Sequence, residues 1–252
     1  MFNKTKIACT CLLSLCPVAQ AVAAPYELTV YSRDMAAPGE TEFETIFSLA
    51  RPTSRSHLSG RIGQMLAEVN YGIALGWEVG VQVPAVYSNQ RRKVQGVALE
   101  LQYVAPHDKA SGWYWGIRGE VGRTASVYED DTARSIEINP IIGYRGTNYR
   151  FVFNPSLDKA LTGSEMTTRF HPSAKLAMPL AARDEIGVEY YADWGSVKKL
   201  SPSSKRDESL YLVWDKLTSF GRFNIGLGQA LRPTLGSADK WVAKIGIQFD
   251  TD

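Results

Sequence analysis

The sequence predicts an all-β fold: a transmembrane antiparallel up-and-down β-barrel of about 12 strands. Three observations predict it. The chain opens on a cleavable export signal, alternates apolar and polar residues with period two, and joins its strands by connections of alternating length. The closing strand shows the alternation plainly. Trp241, Ala243, Ile245, Ile247 and Phe249 share one face, and Val242, Lys244, Gly246 and Gln248 the other, because successive strand side chains point to opposite faces.

The export signal comes first, as residues 1–23. Lys4 and Lys6 supply a positive start, Ile7 to Val18 is a short apolar run, and Ala21-Val22-Ala23 reads as a small-x-small cleavage site. The run is far below the ~20 residues a spanning helix needs. Cys9, Cys11 and Cys16 all lie in this segment, so the mature chain has no thiol for a disulfide or a metal. Leu15 and Pro17, flanking Cys16, argue against a lipidated start. Losing Lys4 and Lys6 takes the formal charge of +2 to about zero, which leaves no nucleic-acid footprint.

Residues 24–41 form an extended lead-in, and residues 42–252 the barrel. Strands begin near Glu42, Gly63, Trp77, Val94, Gly112, Ser135, Asn148, Arg169, Glu185, Ser209, Arg222 and Lys240. Several are sharply two-faced. Trp113, Trp115, Ile117 and Val121 oppose Tyr114, Arg118 and Glu120. Ile136, Ile138, Ile142 and Tyr144 oppose Glu137, Asn139, Gly143 and Arg145. Ile186, Val188, Tyr190, Ala192 and Trp194 oppose Glu185, Gly187, Glu189, Tyr191 and Asp193. Compact connections (Tyr71 to Gly76, Gly146-Thr147, Thr218 to Gly221) alternate with longer, more charged ones (Arg51 to Gly60, Tyr128 to Arg134, Gly195 to Glu208). Short periplasmic turns and long external loops are expected when both termini lie inside.

Aromatic residues mark the strand ends. Trp77 and Tyr87 are ten residues apart on one apolar face, roughly 23 Å along the membrane normal at a tilt near 45°. That approaches the ~25 Å apolar band bounded by aromatic girdles in outer-membrane barrels. Trp113, Tyr144, Tyr149, Trp194, Trp214 and Trp241 also fall at strand ends.

The chain resembles a group of bacterial outer-membrane barrel proteins described as transporter-like or porin-like, some of them grouped under a phenol-degradation pathway label. The resemblance rests on Tyr71-Gly72 with Trp77-Glu78-Val79-Gly80, on Phe153-Asn154-Pro155, on Glu189-Tyr190-Tyr191 and on the closing strand. It implies a location and an architecture, with outer-membrane lipids, lipopolysaccharide and the barrel-assembly machinery as partners. Such barrels commonly end on an aromatic that the assembly machinery reads. Here Asp250-Thr251-Asp252 follow Phe249.

The main structural alternative is a soluble lipocalin-like barrel, with apolar residues turned inward around a ligand. Eight strands suffice for that, and a soluble barrel gains nothing from aromatics at both rims. Pro84, Pro140 and Pro172 count against any closed barrel, because each deletes a ladder donor within a predicted strand.

With apolar faces on lipid, the lumen inherits the charges. Glu42, Glu44, Glu68, Glu78, Glu100 and Glu120 come from the first five strands, and Arg145, Arg150, Arg169, His171 and Lys175 from the next three. Consecutive strands are neighbours, so one acidic and one basic wall are expected, an arrangement that discriminates solutes by charge. Equally, such charges could pair across the lumen and plug it. Arg91, Arg92, Lys93, Lys198, Lys199, Lys205 and Arg206 fall in external loops, where they could meet lipopolysaccharide phosphates.

The functional expectation is a narrow channel or passive transporter for small polar or amphipathic solutes. A non-conducting structural or lipopolysaccharide-interacting barrel is the alternative. An enzyme reading rests only on His57-Leu58-Ser59, similar to the His-x-Ser pair of outer-membrane lipid hydrolases. No orienting partner for that histidine can be chosen, so no catalytic residue is assigned. His57, His107 and His171 lie on separate segments without metal-ligand spacing, and no cofactor or metal is expected.

Overall fold

A computed structural model describes residues 28–52, 61–88, 92–106, 111–124, 133–162, 166–181, 183–231 and 239–251. The export signal, His57, Ser59, Arg91 and His107 lie outside the described residues. The strands are β1 (Thr41–Pro52), β2 (Ile62–Ala74), β3 (Trp77–Tyr87), β4 (Arg92–Val94), β5 (Gly96–Val104), β6 (Gly112–Thr124), β7 (Ala133–Arg145), β8 (Arg150–Ala160), β9 (Thr168–Ala181), β10 (Asp184–Asp193), β11 (Gly195–Ser196), β12 (Lys199–Leu200), β13 (Asp207–Leu217), β14 (Arg222–Ala230) and β15 (Asp239–Thr251). Among the described residues no helix is long and apolar enough to cross a membrane.

Twelve strands close a barrel in the order β1-β2-β3-β5-β6-β7-β8-β9-β10-β13-β14-β15, and β15 returns to β1 with Phe43 opposite Phe249. Every neighbouring pair is antiparallel, so no wall strand is left with an open edge. Following paired residues once around the wall returns to β1 displaced by about 14 residues, a stagger that tilts twelve strands by about 40°. β4 continues β5 beyond a bulge at Gln95, and β11 with β12 forms a small hairpin that extends β10 along β9.

The three prolines fit because the ladder gives way beside each. In an antiparallel pair a residue's N–H and C=O face the same neighbour. The carbonyl of Pro84 accepts from the Gln95 amide (2.7 Å), so the missing donor faces the bulge. The carbonyl of Pro140 accepts from the Asn154 side chain (3.3 Å), in a gap between the Ile138–Leu157 and Ile142–Phe153 pairs. Pro172 lies just past the Ser173–Tyr191 pair, where the pairing of β9 with β10 stops.

The alternation points the way a membrane requires. Val69, Val81, Leu99, Val121, Ile142, Leu212, Leu227 and Ile245 are exposed on the outside, while Gln64, Glu68, Gln82, Glu100, Arg118, Asn139, Asn154, Glu189 and Lys244 are buried inside. This is the inverse of a soluble barrel. At the rim carrying Thr41 and Thr251, Trp77, Tyr103 and Trp115 make one outward aromatic cluster and Trp113, Tyr144 and Tyr149 another. Phe43 stacks on Phe249 there at 5.4 Å. Tyr87 and Trp241 stand near the opposite rim.

Candidate functional site

The lead-in does not stay outside the wall. Residues 28–40 run down the lumen and turn at Gly39 to start β1. Wall side chains hold this segment largely by its backbone. Lys244 Nζ donates to the Leu28 carbonyl (2.8 Å), Asn154 to that of Tyr31 (3.0 Å) and Gln102 to that of Ser32 (3.3 Å). Glu78 accepts the Ala36 amide at 2.6 Å. Asp34 bridges Arg145 on β7 (3.0 Å) and Arg222 on β14 (2.7 Å), strands on nearly opposite sides of the barrel. The Arg118 guanidinium lies 4.0 Å from the Tyr31 ring centroid.

Two apolar clusters seat the segment. Leu28 packs in a layer with Ala50, Ile62, Val86, Tyr191, Tyr211, Val213 and Val242, and Val30, Tyr31 and Met35 pack against Val104, Tyr114, Ile141 and Val152. At Gly72 a Cβ would overlap the Ala37 carbonyl, so the backbones touch only because glycine stands there. Burial alone would push the Asp34 carboxyl up, but Arg222 and Arg145 outweigh it and hold it below its usual value.

Of the predicted acidic residues, Glu42, Glu44, Glu68, Glu78 and Glu100 line a cavity of about 480 Å³, while Glu120 stands beyond it. Glu42 accepts from Gln248, and Arg118 pairs with Glu100 and with Glu120 (3.1 Å). The predicted basic residues are neutralised. Arg150 pairs with Glu185, Arg169 with Asp193, His171 with Asp158, and Lys175 with Glu189 (3.0 Å) and Asp215 (2.8 Å). Among the described residues each predicted base of the basic wall is therefore paired with an acid, supplied mostly by β8, β10 and β13.

The cavity opens at the rim of the short turns, where Asp34, Arg145, Arg150, Arg183, Asp184 and Arg222 line it. The external cations sit at the other end. Arg92 lies 4.7 Å from the Tyr87 ring and Arg206 4.4 Å from the Trp194 ring, while Lys198, Lys199 and Lys205 are exposed. Lys93 is half-buried on β4. Among the described residues no three histidine, cysteine, aspartate or glutamate side chains gather as a metal site.

The residues that organise the lumen and were not singled out are Asp34, Arg118, Glu189, Arg222 and the segment itself. Arg118 and Glu189 could be read from alternation on their strands. Asp34 could not, since nothing periodic surrounds it.

No family model and no curated protein sequence matches the chain. Its fold is similar to that of an outer-membrane channel from Pseudomonas putida F1, with a TM-score of 0.64 and 11% identity over 88% of this chain and 100% of that one. It is also similar to the NanC porin, with a TM-score of 0.55 and 11% identity over 83% of this chain and 98% of that one. The closed twelve-stranded wall, its outward apolar belt and these neighbours make the protein an outer-membrane β-barrel of porin-like architecture.

Proposed function

We propose that the protein is a narrow channel or passive transporter for small polar or amphipathic solutes, constricted by its own residues 28–40. The observation that carries this reading is the charged cavity of about 480 Å³, which falls in the size range of small-molecule sites. A wall serving only as scaffold has no need to keep such a space or to line it with charge of both signs.

A second reading, a barrel that does not conduct, is favoured by one observation: an apolar layer from β1, β2, β3, β10, β13 and β15 packs around Leu28 inside the lumen. Planar-bilayer conductance separates the two. The full protein is expected to give small or rare events, and an internal deletion of residues 28–36 to raise conductance several-fold. If the deleted form is folded and inserted yet silent, the channel reading fails. The external cations are proposed to meet lipopolysaccharide phosphates. The His57/Ser59 hydrolase reading rests on residues outside those described.

A further inference from the structure

We infer that the acidic wall holds a calcium-class cation between β2, β3 and β5, ligated by Glu68, Asn70 and Glu100. The three side chains are at least nine-tenths buried and line the cavity. Glu68 stands two residues before Asn70 on the same inward face of β2, and Asn70 and Glu100 stand opposite Gly80 on either side of β3. Glu100 gives Oε2 to Arg118, leaving Oε1 turned the other way. The Asn70 amide donates to Glu68 Oε1 at 2.8 Å, while its own Oδ1 is buried with no hydrogen-bond partner.

Oδ1 and Glu100 Oε1 converge above Gly80, where a Cβ would overlap both. Beside them, Gln82 Oε1 is also buried without a partner. The Glu100 carboxylate and the Asn70 amide oxygen meet over the missing side chain of Gly80, and Glu68 stands beside them on the Asn70 amide group. Carboxylate and amide oxygens are the hard ligands Ca²⁺ takes, and cavity water completes its coordination.

Charge supports the assignment. Arg118 serves Glu100 and Glu120, while Glu42, Glu44, Glu68 and Glu78 have no described ion-pair partner on β1, β2, β3, β5 or β6. Buried like charges repel, and an orphaned buried carbonyl oxygen is costly. A divalent cation relieves both at once. The binding goes beyond the channel reading and does not depend on conduction.

Calcium titration of the full, detergent-folded protein by calorimetry tests this. One saturable site is expected, with its dissociation constant at least tenfold weaker in Glu68→Gln and in Gly80→Ala, and Asn70→Asp retaining it. Glu68→Gln removes a repelled charge, so its folding is not at risk, and heat-modifiability on gels checks every variant. Absence of calcium binding at millimolar concentration in the folded wild type overturns the proposal. So does binding of equal strength in Glu68→Gln and Gly80→Ala.

Discussion

Asp34 ties the lumen segment to both sides of the barrel, and its chemistry sets when that tie holds. Its side chain is a quarter exposed and accepts from two guanidinium groups. A charged hydrogen bond contributes about 1.5–3 kcal/mol, and partial exposure screens each of these towards the lower figure. Arginine stays charged throughout, so only the aspartate titrates. Its carboxyl is held below the usual value in the folded state, so the contribution is fully present above the unfolded value and is lost as pH falls through the folded one. Asp34→Asn is therefore expected to lower the melting temperature in detergent by a constant amount from pH 5 to 8. The gap to wild type should close only below about pH 4. An unchanging gap down to pH 2 would show that Asp34 acts through packing and not through its charge.

At the scale of elements, strands were legible and the segment between the export signal and β1 was not. Predicted strand starts at Trp77, Gly112 and Arg222 coincide with those observed, and that at Asn148 is two residues from β8. Period-two burial writes itself into side-chain type, which is why alternation found them. The segment is held through the carbonyls of Leu28, Tyr31 and Ser32, and every residue owns a carbonyl, so sequence carries no trace of those contacts. Inward apolar residues such as Tyr114 and Ile141, odd in a polar lumen, were the one available signal. The neutralised basic wall was half legible: Glu185, Glu189 and Asp193 already alternated inward, but which base each would meet depends on register. Register now separates two arginines. Arg150 on β8 lines the cavity with 37% of its side chain exposed, whereas Arg169 on β9 pairs with Asp193 beyond it. In the conducting deletion form, Arg150→Glu should shift the reversal potential towards cations and Arg169→Glu should leave it within error. An equal shift from Arg169→Glu would place the selective region above the cavity.

For the whole molecule, the deciding property is which face of the wall meets which solvent. A soluble protein seldom exposes an apolar patch beyond a few hundred square ångströms, yet here apolar side chains are exposed on every strand of the closed barrel wall. That belt is tolerable only against hydrocarbon, which in turn requires every backbone polar group to be paired within the wall, as ring closure achieves. Leu99 stands near mid-strand in the belt, 56% exposed, between Val81 on β3 and Val121 on β6. In water an exposed Leu→Arg change costs little, because the guanidinium is solvated. At mid-bilayer the same change costs roughly 2–4 kcal/mol, with no lumen water to reach. Leu99→Arg should therefore lower unfolding stability in lipid vesicles by that amount. Val94→Arg, near the external rim and 62% exposed, should cost roughly 1 kcal/mol or less. Depth, and not exposure, would then order the two penalties. Equal penalties at the two positions would mean that the belt does not sit across the bilayer as the wall's tilt and aromatic rims require.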